Sequence, residues 1–345
     1  MLLTTGKKGQ AVIPETITGD WLLDKVKSVL SFQDAPLVQI NVTRELKHHH
    51  SRILFFQAIY ASEFTQGYPV RWIAKIRTDH EGMAEGAFYQ LAQEQGRTSA
   101  LPELGGFIQL EEGVSLLLLK NMQQDYRQLV SDQQIFKKGQ WQPAMPVLKG
   151  AIAELARFHA AWWNSDLLQS RSDVFSQGGW WGRDQTFASD QDKRQQQVEQ
   201  FLYAQKPSPE CRHLLEQSVD LLPTIEARLN TQPLTCVHGD CYPWHFFISR
   251  TDQSIKLLDL EFVGANSPAH DLVALLMFWR GDVEAVLLGY FRVLEQFGVA
   301  GYSMEQLQKD CTLAIAGHAF MVVQDWLRGC DQRLWKNKLK GLVRL

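Results

Sequence analysis

The 345-residue sequence contains no G-x-G-x-x-G run and no G-x-x-x-x-G-K-[ST] run, so it offers neither a protein-kinase glycine loop nor a P-loop for gripping phosphate. It has only five cysteines, Cys211, Cys236, Cys241, Cys311 and Cys330. The count is odd and the spacing forms no zinc-binding pairs, which argues for reduced thiols over a disulfide framework or a zinc finger. No stretch approaches the roughly 18 apolar residues of a membrane span. The opening residues MLLTTGKKGQ place no apolar segment behind their lysines. The expectation is a cytoplasmic protein with no membrane partner. Neither sign of charge is in excess: 35 Lys and Arg stand against 38 Asp and Glu. The basic footprint of a nucleic-acid binder is therefore missing. Internal repeats and low-complexity tracts are also lacking.

What remains is the composition of an ordinary globular chain, 45% apolar and 21% charged, which can build a core of normal size. Its length suggests about two domains. Trp21, Leu22, Val26, Val29 and Leu30 recur at helical spacing within 15–31. Short runs rich in Ile, Val, Phe and Tyr at 37–42, 52–60 and 70–76 read as strands, 81–96 as a helix ending at Gly96, and 107–110 and 114–119 as strands again. Helices are expected at 144–164, 191–206, 208–229, 267–278, 281–298 and 303–329, the last opened by a capping box at Ser303-Met304-Glu305-Gln306. One hairpin interrupts them, with strands at 246–249 and 254–260. Segments 121–143 and 165–190 read as loops. The pattern predicts an α+β chain: a sheet-rich part over 1–120 and a mostly helical part over 121–345.

The informative segment is Val237-His238-Gly239-Asp240-Cys241-Tyr242-Pro243-Trp244-His245-Phe246, followed by Leu257-Leu258-Asp259-Leu260-Glu261. It places two acids about one hairpin apart. Phosphoryl transfer needs such a pair, one carboxylate to accept or orient the proton of the acceptor hydroxyl and one to hold the Mg²⁺ that bridges the nucleotide phosphates. Positioning and charge neutralisation supply most of that catalysis. In the kinase pattern the catalytic Asp is followed five residues on by a metal-binding Asn, then by a metal-binding Asp. The corresponding positions here are Asp240, His245 and Asp259. Upstream, Lys75 sits between Ala74 and Ile76 in an apolar strand, where an inward-facing lysine needs an acidic partner; Glu85 is preferred to Glu81.

On these residues the chain resembles the aminoglycoside phosphotransferase and choline kinase superfamily, with its protein-kinase-like bilobal fold, and within it the ecdysteroid-kinase-like branch. Those proteins read H-G-D-x-x-x-x-N and then a strand ending in I-D-W/F/L-E. Further segments are similar in the same order: Arg71-Trp72-Ile73-Ala74-Lys75-Ile76, Glu85-Gly86-Ala87-Phe88-Tyr89, Ser115-Leu116-Leu117-Leu118-Leu119-Lys120, Leu155-Ala156-Arg157-Phe158-His159-Ala160 and Pro268-Ala269-His270-Asp271-Leu272. The resemblance implies a phosphotransferase that moves the γ-phosphate of ATP, with Mg²⁺ or Mn²⁺, to a hydroxyl of a small molecule. It implies Asp240 as base or orienter, Asp259 and His245 as metal ligands, and Lys75 held by Glu85 on the phosphates. It also implies adenine at the hinge around Leu119, Lys120 and Met122, with His238 and Asp271 bracing the catalytic loop.

His245 is the departure. Imidazole nitrogen suits Mn²⁺ or Zn²⁺ better than Mg²⁺. It opens a second reading, a catalytically impaired nucleotide-binding module. His159, on an apolar helix face, is expected to be a satisfied core histidine. Trp180-Trp181 reads equally as a lid, an acceptor pocket or core packing, and His48-His49-His50 as a solvated loop in preference to a phosphate contact made there or through Ser51 and Arg52.

Overall fold

The β-branched and aromatic runs between residues 37 and 120 form a five-stranded antiparallel sheet in the computed structural model, which describes residues 16–30, 35–48, 51–61, 68–111, 113–179, 181 and 191–345. The chain divides into two compact units, Met1–Asp125 and Tyr126–Leu345.

In the first unit the order along the chain is α1 (Gly19–Leu30), β1 (Leu37–Lys47), β2 (Ser51–Tyr60), β3 (Arg71–Arg77), α2 (His80–Glu94), β4 (Leu104–Glu111) and β5 (Val114–Lys120). In the sheet the order is β1-β2-β3-β5-β4, so α2 and β4 are inserted between two strands that are neighbours. Side chains alternate between the two faces of a strand. Trp72, Ala74 and Ile76 of β3 bury themselves with Leu22 and Val26 of α1 and with Leu116 and Leu118 of β5. Lys75 therefore points to the opposite face, where α2 packs on β3, β4 and β5. Gly86 permits that packing: a Cβ there would come within 2.0 Å of the Phe107 ring. Asp79 starts α2 by accepting the Gly82 N–H at 3.1 Å, and the Arg77 guanidinium fixes it by two bonds of 2.7 and 2.6 Å.

The second unit runs β6 (Tyr126–Gln128), α3 (Asp132–Lys138), α4 (Met145–Ala161), α5 (Leu167–Ser170), β7 (Ser176–Gln177), α6 (Gln191–Gln205), α7 (Pro209–Leu229), β8 (Thr235–Val237), a 3₁₀ turn (Pro243–His245), β9 (Phe246–Ser249), β10 (Ile255–Leu257), β11 (Gly264–Asn266), α8 (Ala269–Leu276), α9 (Val283–Gln296), α10 (Met304–Leu327) and α11 (Gln332–Leu342). Two small sheets, β10-β9-β6 and β7-β11-β8, flank the segment that carries the motif. α10 is the central helix and packs on α7, α8 and α11.

The expected elements all form, with ends moved by a few residues. Several short ones were not anticipated: β6 and α3 in the segment read as a loop, α5 and β7 between 165 and 190, β8 and β11 beside the motif, and α11 after 330. The capping box at Ser303 forms only by half. Ser303 Oγ accepts the Gln306 N–H at 3.1 Å, but the Gln306 amide turns to Asp310 Oδ1 at 2.9 Å. Trp181 is core, its ring 4.6 Å from that of His270 and 5.4 Å from that of His318. Trp180, His49 and His50 lie outside the described residues. Among the described residues no helix is long and apolar enough to cross a membrane.

Candidate active site

In the first unit Lys75 and Glu85 form an ion pair at 2.8 Å, with only 10% and 1% of their side chains exposed. The β3 strand presents Lys75 toward α2, and α2 presents Glu85 on the turn after its capped start. Breaking such a pair strands a buried charge, at a cost of about 3–5 kcal/mol. At the end of β5, Leu119 and Met122 are buried. The Lys120 N–H donates to the Glu103 carbonyl and the Asn121 N–H to the Arg71 carbonyl, each at 2.9 Å. The Lys120 ammonium turns to Glu103 Oε2 at 3.2 Å.

In the second unit the loop after β8 is tied down from behind by Asp271, in the first turn of α8. Its Oδ2 accepts the His238 N–H at 2.6 Å, and its Oδ1 the Gly239 N–H at 3.1 Å. His159 Nε2 also reaches Oδ2 at 3.1 Å, and His270 Nδ1 reaches Oδ1 at 3.2 Å. Burial opposes a charge on Asp271, yet the bonds from His159 and His270 outweigh it and hold the carboxyl far below the usual carboxylate range. Asp271 therefore serves the loop as an ionised anchor. His159 is fully buried, and its Nδ1 lies 2.6 Å from the Tyr290 hydroxyl. With Nε2–H donating to Asp271, the Tyr290 O–H donates to Nδ1, so both nitrogens are satisfied.

Gly239 turns the loop at φ +86°. A Cβ at this position would fall 2.0 Å from the Phe262 carbonyl oxygen, so only glycine fits. His238 then links the two acidic positions. Its Nε2 donates to the Leu258 carbonyl at 2.8 Å, and its Nδ1 accepts the Asp240 N–H at 3.4 Å. Burial, then the nearby His245, depress the pKa of His238, which keeps it in this neutral, bridging form.

Asp240 and Asp259 meet on His245. Its Nε2 is 3.1 Å from Asp240 Oδ2, and its Nδ1 is 3.8 Å from Asp259 Oδ2. The His245 carbonyl accepts the Leu258 N–H at 3.0 Å, fixing the register of the two segments. The strand expected to run to 260 ends at Leu257, so Asp259 lies in the loop beyond it, at φ +66°. A non-glycine residue in that region stores about 1–3 kcal/mol of strain and is common where a side chain must be aimed. The Asp259 side chain is 41% exposed, open enough to take a ligand.

The donor chemistry suits a divalent cation. With Nε2–H donating to Asp240, the lone pair of His245 lies on Nδ1, the nitrogen facing Asp259. A gap of 3.8 Å is beyond hydrogen-bond reach. A metal-bound imidazole ordinarily donates its other N–H to a carboxylate, as this ring does. Among the described residues no group of three or more His, Cys, Asp or Glu is gathered for a metal. Two protein ligands suffice for an ion whose remaining positions are filled by phosphate oxygens and water.

A support absent from the sequence reading comes from the C-terminal helix. Lys338 of α11 is buried, with Nζ 2.9 Å from Asp325 Oδ2 and 4.6 Å from the centroid of the Tyr242 ring. Tyr242 stacks on Trp244 at 4.6 Å, so this ion pair backs the loop between Asp240 and His245. A lysine at an apolar position of the series Trp335, Lys338, Leu339, Leu342 is the signal that could have found it.

The helix that carries Asp325, α10, also carries a titrating group. His318, on α10, donates Nε2–H to the His270 carbonyl at 2.9 Å and packs against the His270 and Trp181 rings. Burial, then the charge of His270, hold its pKa well below the ordinary 6.5. The unfolded chain takes up this proton below pH ~6.5 while the native chain does not, so stability is full above that pH and falls as the solution is acidified. Urea unfolding from pH 7.5 down to 5.5 should show this loss, at most about 1.4 kcal/mol per pH unit from this one group. His318→Gln should flatten the slope by that amount; an unchanged slope contradicts the assignment.

The sequence profile of the phosphotransferase enzyme family, APH, matches residues 71–304, which include every residue of the two clusters above except Lys338 and Asp325. No curated protein matches the sequence. Among solved structures, a macrolide 2′-phosphotransferase from Brachybacterium faecium superposes with a TM-score of 0.53 at 14% identity, over 94% of this chain and 97% of that one. An ethanolamine kinase of Plasmodium vivax gives 0.52 at 11% identity, over 88% and 81%. A spectinomycin phosphotransferase in complex with ADP and spectinomycin gives 0.50 at 13%, over 96% and 94%. At these identities the likeness is one of fold: the α+β arrangement expected from the sequence, an antiparallel sheet unit followed by a helical unit.

Proposed function

The chain belongs to the phosphotransferase enzyme family, and from that premise we propose that it transfers the γ-phosphate of ATP to a hydroxyl group of a small molecule. The observation that carries this reading is the array Asp240–His245–Asp259, on a loop anchored by the ionised Asp271. The names of the structural neighbours give a macrolide, ethanolamine and spectinomycin as what they act on, and a small-molecule acceptor is the class carried to this chain. The segments H-G-D-C-Y-P-W-H and L-L-D-L-E support an ecdysteroid-kinase-like reading, and the proposal includes a cytoplasmic location.

In the mechanism, Asp240 takes the proton of the acceptor hydroxyl as the acceptor oxygen bonds to the γ-phosphorus. The bond from that phosphorus to the β–γ bridging oxygen breaks, and ADP leaves with that electron pair. His245 Nε2–H holds Asp240 Oδ2, which leaves Oδ1 for the hydroxyl. Asp259 and His245 Nδ1 would hold Mg²⁺ or Mn²⁺, and the bound ion would neutralise charge on the phosphates. Lys75, pre-set by Glu85, donates to phosphate oxygens. Leu119, Lys120 and Met122 form the adenine-side segment, and the Lys338–Asp325 pair keeps Tyr242 in place behind Asp240.

Lys75→Met tests the nucleotide half. Losing one charge-assisted hydrogen bond should weaken ATP binding about 10- to 100-fold, read by calorimetry at a temperature where the variant, destabilised by the stranded Glu85 carboxylate, is still folded. Unaltered affinity would remove Lys75 from the phosphate site.

A further inference from the structure

The second unit contains a cavity of about 570 Å³ that no residue of the proposed phosphotransfer site lines. That volume falls within the roughly 300–1,000 Å³ of small-molecule pockets. Its walls are two helix faces, Leu148, Ile152 and Ala153 of α4 against Val286, Gly289 and Val293 of α9. The helices meet where His159 bonds Tyr290 at 2.6 Å. Elsewhere small residues leave a gap: a Cβ added to Gly289 would find nothing within 4 Å. Trp279 also lines it, and Gly281 lies so close to its ring that a Cβ there would come within 2.2 Å.

Polar groups join Trp279 in the lining. The Gln142 side-chain amide donates to the Arg280 carbonyl at 3.2 Å. Asp282, the carboxylate among the lining residues, accepts the Ala285 N–H at 3.0 Å as the cap of α9, where the helix N-terminus offsets its charge. Lys149 and Arg280 also line the cavity, and among the described residues neither is held in an ion pair. The lining thus combines apolar helix faces with two cations, Lys149 and Arg280, that no carboxylate pairs among the described residues. Apolar walls gain from burying methylenes, and an anion brought to their edge finds a countercharge that an amine would not.

We propose that this cavity binds an amphipathic organic anion, an apolar chain or ring bearing one carboxylate, with the chain between α4 and α9 and the carboxylate at Lys149 and Arg280. The proposal goes beyond the phosphotransfer reading and does not depend on it.

The test is calorimetric titration of the full-length protein with dodecanoate below its micelle concentration, beside dodecanol and dodecylammonium. Saturable one-to-one binding of dodecanoate is expected, with the alcohol and the amine weaker by about tenfold or more. Gly289→Leu fills the gap with a better helix former and should abolish binding of both dodecanoate and dodecanol. A Lys149→Glu, Arg280→Glu double variant should weaken dodecanoate about tenfold or more and leave dodecanol unchanged. ATP affinity should be the same in all these proteins. Its loss in the unaltered protein would count against the phosphotransfer reading alone. Absence of saturable dodecanoate binding, equal binding of the amine, or wild-type binding by the Gly289→Leu variant would each overturn the proposal.

Discussion

Asp240→Asn should lower phosphoryl transfer by about 10²–10⁴-fold, the range ordinarily supplied by one well-placed general base, and leave nucleotide binding intact. The substitution is nearly isosteric. The Asn carbonyl oxygen can still accept from His245 Nε2, which stands 3.1 Å from Asp240 Oδ2, and the backbone bonds from His238 and Gly239 to Asp271 do not involve the changed group. What disappears is the ability to take a proton. The loss should appear in kcat for transfer to the acceptor, with KM for ATP little changed, because an interaction made only in the transition state lowers turnover without loosening the ground state. Initial rates over a range of ATP concentrations separate the two. A variant that kept full turnover would place the proton acceptor elsewhere.

His245→Asn should change which metal the protein prefers. His245 Nδ1 faces Asp259 Oδ2 at 3.8 Å. A ligand set of one imidazole nitrogen and one carboxylate favours Mn²⁺ over Mg²⁺, because Mg²⁺ takes oxygen donors and keeps its water. Asn replaces the nitrogen with a carbonyl oxygen. Turnover supported by Mn²⁺ relative to Mg²⁺ should therefore fall in the variant, on the order of tenfold, the lower end of what is lost when a metal site's ligand shell is disturbed. The Nε2 hydrogen bond to Asp240 is lost as well, which lowers the rate with either metal alike, so the ratio of the two rates is what reads the change of ligand. Equal metal preference in the two proteins would mean that His245 serves Asp240 only.

The sequence made the chemistry-bearing segments visible because each is short and local. His238-Gly239-Asp240 marks a turn that only glycine can make, as the 2.0 Å approach of a Gly239 Cβ to Phe262 explains. Lys75 in an apolar strand demanded a partner, and the pitch of α2 places Glu85 on it. Elements fixed by tertiary pairing were harder to see. β6, β8 and β11 are three residues each, too short to carry an alternation, and exist because β9, β7 and one another are there to pair with. α3 carries local signals, a Ser131/Gln134 capping box and a left-handed Gly139, but they sit in a polar stretch with little apolar periodicity. α11 was hidden by its lysines. One of them, Lys338, is buried by Asp325, and that pairing joins residues 13 positions apart on different helices. The meeting of Asp240 and Asp259 on His245 is likewise set by the β9–β10 hairpin register and by His238 reaching Leu258, neither of which is written in local spacing.

The most direct test of the central claim is a time course of ADP release and product formation from ATP, with Mn²⁺ or Mg²⁺, across a panel of small hydroxyl compounds, comparing the unaltered protein with Asp240→Asn. The account predicts that at least one hydroxyl acceptor drives ADP release matched one for one by phosphorylated product, and that Asp240→Asn slows it by about 10²–10⁴-fold while still binding ATP. Tight ATP binding without turnover by the unaltered protein, whichever metal and acceptor are supplied, would contradict it and leave a nucleotide-binding module in place of an enzyme.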